Sequence, residues 1–227
     1  MSDFAIEKPV PYYEKLYHTI KKMIFEGKLK PGDRIIETQL AKDFNVSKSP
    51  VREAIRILEK EGLVIVDQKS RVMVYQPTMK DVEEIYFCRM ALESFAVELV
   101  TRIATNDELD EIEKTLMHTE QAIRDSQKND TIITLNELFH SLIINYTQNS
   151  RLQKQLNDLK SLIYFFRVLN TQGENRADNI LNQHRKIFEC IKRREADQAS
   201  QAMINHLKLD LEHLTEILSN SYEETKL

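Results

Sequence analysis

The sequence predicts a mainly α-helical protein in two parts: a head of short elements with a small β-ribbon, then a body that is an all-α helical bundle. Three observations predict it. Pro9, Pro11, Pro31, Pro50 and Pro77 are all the prolines, and with Gly27, Gly32 and Gly62 they crowd the strongest local breakers into the first 77 residues. Beyond Pro77, apolar residues recur at helical spacing, with no strand-like alternation. Charge divides at the same place. The chain has 32 Lys+Arg and 36 Asp+Glu; residues 1–76 hold 14 and 11 of them and the rest 18 and 25, so a head of +3 precedes a body of −7. The head is placed at 9–76 and the body at 79–220.

Tyr13–Glu26 is read as the first helix, with Leu16, Ile20 and Met23/Ile24 on its buried face and Gly27 as a left-handed C-cap. Lys30-Pro31-Gly32-Asp33 is a turn. Thr38 is expected to cap a short second helix carrying Leu40, Ala41 and Phe44, which Asn45 closes in the left-handed conformation. Ser49-Pro50 is expected to start a third helix, with the hydroxyl as N-cap and proline first. Val51, Ala54, Ile55 and Leu58 form its buried face, Arg52, Arg56 and Glu59 point away, and Gly62 ends it. Leu63–Val66 and Val72–Tyr75 read as two strands around Asp67–Arg71. Helix, short helix, turn, helix and ribbon is winged helix-turn-helix order.

The head's chemistry fits DNA. A recognition helix enters the major groove by its N-terminal end, which here carries Ser47, Lys48, Ser49 and Arg52. Hydroxyls and free amides at a helix start suit phosphate oxygens, and Arg52, one turn in, suits a bidentate contact to guanine. Lys69 and Arg71 in the ribbon loop suit the DNA backbone or minor groove. Spacing alone leaves a second reading open, in which these are solvated cations on a protein-interaction domain.

In the body, helices are placed near 79–104, 107–127, 130–147, 150–170, 174–193 and 195–219, as antiparallel neighbours. The stripe Ile85, Arg89, Leu92, Ala96, Leu99, Ile103 is apolar except at Arg89. A buried guanidinium needs an acceptor. Glu93, one turn on, would make an internal salt bridge; otherwise Arg89 anchors an acidic ligand. Asn136 and His140 stand at i and i+4, a spacing that turns two side chains toward one ion. His184 and His206 lie on or beside apolar stripes of two further helices. Packed core histidines and a shared zinc, nickel or copper both fit that pattern.

Composition narrows the rest. Hydrophobic residues at 41% and charged residues at 30% describe an ordinary globular chain. No apolar run approaches the ~20 residues of a membrane span. Met1 to Tyr12 shows no signal-peptide core, so no membrane and a cytoplasmic location are expected. Cys88 and Cys190 lack CxxC partners and read as reduced thiols. No nucleophile–base pair stands out, so an enzyme is not expected.

Two resemblances sharpen this. Pro31-Gly32, Glu37, Leu40-Ala41, Val46-Ser47-Lys48, Pro50-Val51-Arg52-Glu53-Ala54-Ile55, Leu58 and Glu61-Gly62-Leu63-Val64 together resemble the GntR-type signature. That resemblance implies binding to double-stranded operator DNA through Thr38, Ser47, Lys48, Ser49, Arg52 and the wing residues Lys69 and Arg71. The family usually has glycine at the wing tip, where this chain has Ser70. The body resembles the FCD domain of the FadR-type branch, in Arg89-Met90-Ala91-Leu92-Glu93, Phe139-His140 with Asn149 downstream, His184–Ile187, Ala199, Met203 and His206-Leu207. This implies a homodimeric regulator, expected to repress, whose helical pocket takes a small organic acid at Arg89. Many such domains hold a divalent metal, zinc here or else nickel, with one Asp and three His. Those positions map to Asn136, His140, His184 and His206, an amide standing where the carboxylate is expected.

Overall fold

The computed structural model describes residues 10–224; Pro9, where the head was expected to begin, lies outside the described residues. The chain divides into two compact units, Met1–Pro77 and Thr78–Leu227.

The first unit runs α1 (Tyr12–Phe25), β1 (Arg34–Ile35), α2 (Glu37–Asp43), α3 (Lys48–Lys60), β2 (Val64–Val66) and β3 (Val72–Val74). Leu16, Ile20 and Ile24 of α1 pack with Val51, Ala54, Ile55 and Leu58 of α3 as its core. Burying each of the larger side chains contributes about 1.5–3 kcal/mol. The ribbon is a three-stranded antiparallel sheet in the order β1-β3-β2, with Arg34 opposite Met73 and Val66 opposite Val72. The sequence did not reveal β1. It is two residues long and carries no alternation of its own; the Lys30–Asp33 turn aims it at β3, where Gly32 N–H donates to the Val74 carbonyl and Val74 N–H to that of Asp33. Gly32 has φ +82°, and a Cβ there would meet Gln76 Oε1 at 3.0 Å.

Two helix starts differ from expectation. Ile36, not Thr38, caps α2, and Thr38 lies exposed in its first turn. The N-cap of α3 is Ser47, so Ser49 and Pro50 are its second and third residues. Proline is tolerated there because the N–H groups of a first turn have no intrahelical partner. Asn45 is left-handed, with φ 51°. So is Ser70, with φ 56°, which explains why a glycine suits this wing tip. Around it, Ser70 N–H donates to the Asp67 carbonyl, and Asp67 N–H to that of Arg71. A β-branched residue tolerates this conformation poorly. Ser70→Val is expected to destabilise the wing by about 1–2 kcal/mol, seen as faster hydrogen exchange at Asp67 and Ser70; unchanged exchange would contradict the strain argument.

The second unit consists, among the described residues, of α4 (Met79–Ile103), α5 (Asn106–Arg124), α6 (Asn129–Tyr146), α7 (Ser150–Asn170), α8 (Arg176–Lys192) and α9 (Ala196–Glu224). Capping boxes set two starts, Thr78 with Asp81 and Thr105 with Glu108. Asn149 caps α7 by accepting from Arg151 and Leu152 N–H. Left-handed Asn175 delays α8 to Arg176, two residues later than expected. Helix α4 packs against α6, α7, α8 and α9, which makes it the axis of the bundle. Its buried face is therefore Val82, Tyr86, Arg89, Glu93, Ala96, Val97 and Val100. The expected stripe is turned relative to this face: Leu92 and Leu99 are half-buried and Ile103 is exposed. No helix among the described residues is long and apolar enough to cross a membrane.

Candidate nucleic-acid interface and metal centre

In the first unit, one groove is lined by Arg34, Glu37, Thr38, Arg52, Ser70 and Arg71. It joins the start of α2, the first turns of α3 and the wing. Ser47, Lys48 and Ser49 are exposed at the start of α3, and Lys69 is exposed beside the wing tip. Arg52 donates from Nε to Glu37 Oε2 at 2.8 Å, so its side chain is held across the groove. Asp67 fixes the wing by accepting from Lys69 N–H and Arg71 N–H at 2.9 Å each and from Arg71 Nε at 2.6 Å. The Arg71 backbone N–H and then its guanidinium hold the Asp67 carboxyl below its usual range. Arg34 is a groove cation the sequence missed, because its position depends on β1.

In the second unit, Arg89 is fully buried and donates from Nε to Glu93 Oε1 at 2.7 Å. Its two terminal nitrogens have no partner, and neither does the hydroxyl of Tyr86, over whose ring the guanidinium sits at 4.8 Å. The structure thus contains the expected salt bridge and leaves donors beyond it. Burial works against the charge on Arg89, but the neighbouring Glu93 carboxylate prevails and raises its pKa. Burial likewise opposes the Glu93 charge, and Arg89 and His140 together hold that carboxyl well below the usual range.

The other Glu93 oxygen lies 2.6 Å from His140 Nδ1. A carboxylate only accepts, so the neutral ring carries its proton on Nδ1 and leaves the Nε2 lone pair free. That Nε2 is buried and unpartnered. His206 Nδ1 lies 2.7 Å from Gln183 Oε1, which assigns its proton in the same way. His184 Nε2 and His206 Nε2 then face each other at 3.3 Å. Phe139 stacks on His184, with ring centroids 4.1 Å apart, and fixes that ring. Ligand atoms of His140, His184 and His206 all lie within 4.8 Å of one another. Burial, then the neighbouring imidazoles, keeps His184 well below the ordinary histidine value; burial pushes His206 down to about 3, against the opposing pull of Asp210. Imidazoles gathered this closely, with the outer nitrogens of His140 and His206 tied to a carboxylate and an amide, are the donor set of a metal site. Asn136, one turn before His140 on α6, has a buried, unpartnered Oδ1. The residues fit a divalent ion, and the orphaned Nε2 and Oδ1 are the observations that say so.

Three further residues, Arg167, Asp210 and Arg176, stand near this centre and were passed over in the sequence. Arg167 pairs with Glu137, and its own burial, then the charge of Arg89, pushes its pKa down to about 10. It follows Ile163 by one turn on α7, so a cation breaking an apolar stripe was the available signal. Asp210, one turn beyond His206, binds Arg176 at 2.5 Å and places Oδ2 3.7 Å from His206 Nε2. A cavity of about 80 Å³ opens beside His140 and is lined also by Glu93, Glu137, Asn157, Lys160 and Arg167. A single water needs ~10–15 Å³, so the space accommodates a small organic group.

A winged helix-turn-helix followed by a helical domain with a buried histidine cluster defines a class, the DNA-binding regulators that carry a separate ligand domain. The chain belongs to the gntR family of bacterial regulatory proteins: residues 12–74 match that family's model, and residues 84–209 match the FCD domain. It is a transcriptional regulator and not an enzyme. It is 46% identical over 223 residues to the uncharacterized HTH-type transcriptional regulator YdhC of Bacillus subtilis, covering 98% of this chain and 100% of that protein. It is 28% identical over 186 residues to the gluconate operon transcriptional repressor of the same species (80% and 76% covered). The repressor RspR of Escherichia coli is 25% identical over 198 residues (87% and 86%). Among solved structures, E. coli McbR/YncC superposes with a TM-score of 0.74 at 22% identity, over 92% of this chain and 99% of that one, a likeness of fold.

Proposed function

We propose that the protein is a homodimeric, cytoplasmic repressor whose two winged heads bind a palindromic operator and whose helical domain lowers operator affinity when it takes up a small organic acid beside a divalent metal. The observation that carries the sensor is the convergence of His140, His184 and His206 on one point, with unpartnered donors of Arg89 nearby. Asn136, His140, His184 and His206 hold the ion, zinc or else nickel, which supplies a Lewis-acidic centre for a carboxylate oxygen. Arg89 pairs with the acid. A coupling of about 1–3 kcal/mol suffices to change operator affinity 5–150-fold. Two relatives are named repressors, one of the gluconate operon, and gluconate is itself a hydroxy acid. Phe87 and Phe95 are exposed two turns apart on α4, an apolar face that a second copy would cover.

On DNA, Ser47, Lys48 and Ser49 meet phosphates at the start of α3, Thr38 and Arg52 face the groove floor, and Lys69 and Arg71 contact the minor groove or backbone. Glu37 orients Arg52. Arg52→Ala is expected to cost about 1–3 kcal/mol, or about 5–150-fold in operator affinity, and to relax sequence preference. Lys69→Ala is expected to weaken all duplexes alike and flatten the salt dependence. Mobility shifts of the zinc-loaded full chain on duplexes selected from a random pool, with and without a panel of small acids, test the reading. Absence of retardation at low salt defeats the operator claim; retardation that no acid alters defeats the sensor claim.

A further inference from the structure

We propose that the acid taken up by the helical domain is a dianion, a two-headed carboxylate with one head at the metal and the other on the buried guanidinium of Arg89. This rests on the reading of the domain as a metal-assisted acid sensor and specifies its ligand class.

The first argument is charge. The candidate ligands are three imidazoles and the amide of Asn136, and imidazole binds a metal as the neutral ring. None of them offsets a divalent ion. The buried or half-buried carboxylates around them are already matched: Glu93 by Arg89, Glu137 by Arg167 and Asp210 by Arg176. These six groups sum to zero. A divalent ion therefore brings two uncompensated charges into a buried site, where an unbalanced charge is costly. A monoanion removes one of them, and a dianion removes both. A carboxylate in place of Asn136 would change this count by one.

The second argument is donors. Nη1 and Nη2 of Arg89, Nε of Arg167 and the Tyr86 hydroxyl are buried without partners. Buried donors of this kind need acceptors. Glu93 bridges the two centres, one oxygen on Arg89 and the other on His140. A single carboxylate at the metal leaves Nη1 and Nη2 of Arg89 unsatisfied, whereas a second head on the same molecule supplies them with acceptors. Lys160, half exposed on the cavity lining, is a further cation along the approach. The rival source of negative charge is Asp210, whose Oδ2 is 3.7 Å from His206 Nε2 while its Oδ1 is held by Arg176, which already matches its charge.

Calorimetric titration of the zinc-loaded full chain with acids paired by carbon number tests this, malonate against propionate and succinate against butyrate. At least one dicarboxylate is expected to bind about tenfold or more tighter than its monocarboxylate partner. Asn136→Asp, with its fold checked by circular dichroism, is expected to shrink that ratio by weakening the dianion. Equal affinity for the two classes in the native chain overturns the proposal and points to Asp210 as the source of charge, while the acid-sensor reading stands. Equal dicarboxylate binding without zinc also overturns it. If no acid binds the zinc-loaded protein, the sensor reading fails and the proposal fails with it.

Discussion

Arg89→Met is expected to destabilise the helical unit by about 3–5 kcal/mol, because it leaves the Glu93 carboxylate buried beside a histidine without its guanidinium. Glu93 is 2% exposed, so water cannot take over the lost role. Methionine replaces much of the arginine stem and its contact with Tyr86, so the loss reports the charge more than a cavity. In a domain of this size the penalty corresponds to roughly 10 °C in melting temperature. The double variant Arg89→Met/Glu93→Leu is expected to recover most of it, since the stranded charge is gone. Urea unfolding followed by circular dichroism measures both. A loss under about 1 kcal/mol for the single variant would show that Glu93 is solvated or neutral and that the pair does not organise the site. Where the single variant still folds at low temperature, it is expected to have lost its response to acids, since both donors beyond the salt bridge go with the guanidinium.

The same pair shows what a sequence reveals and what it hides. Arg89 was legible because a cation interrupted a helical stripe, and Glu93 because it follows by one turn. The double role of Glu93 was not legible, because its second bond to His140 depends on how α4 packs against α6. Arg167, Arg176, Gln183 and Asp210 were missed for the same reason: each acts on a helix far away in the chain. Helix ends could be read where a side chain caps them locally, as at Thr105 and Asn149. They were misplaced at Ser49 and Thr38, where no side-chain cap forms and the residue two positions earlier, Ser47 or Ile36, takes the position. The buried face of α4 turned away from its most regular apolar stripe because four helices surround it, and surroundings rather than periodicity then decide burial. The histidines were legible as residues of interest, but their tautomers were not; those follow from Glu93 and Gln183.

Zinc is expected to raise the melting temperature of the helical unit, and His184→Ala to abolish most of that rise. A ligand present at about 100 times its Kd stabilises by about 2.7 kcal/mol, which in a domain of this size is roughly 5–10 °C. The gain comes from giving the ring nitrogens of His140, His184 and His206 a common partner in place of an orphaned nitrogen and a single 3.3 Å contact between His184 Nε2 and His206 Nε2. The three rings contact one another, and His184 makes the two shorter contacts, at centroid distances of 5.0 Å to His140 and 4.7 Å to His206. Removing it also removes the Phe139 stack, so the baseline will fall whether or not a metal binds. The decisive quantity is therefore the increment on adding zinc, compared between variants, and its reversal by a chelator. Asn136→Ala is expected to reduce the increment by less than His184→Ala, because a neutral amide oxygen is a weaker donor than imidazole. An undiminished increment in His184→Ala would place the ion elsewhere. A zinc response that vanishes in His184→Ala but survives in Asn136→Ala would identify the three histidines as the working ligands, with the amide left to orient what binds beside them.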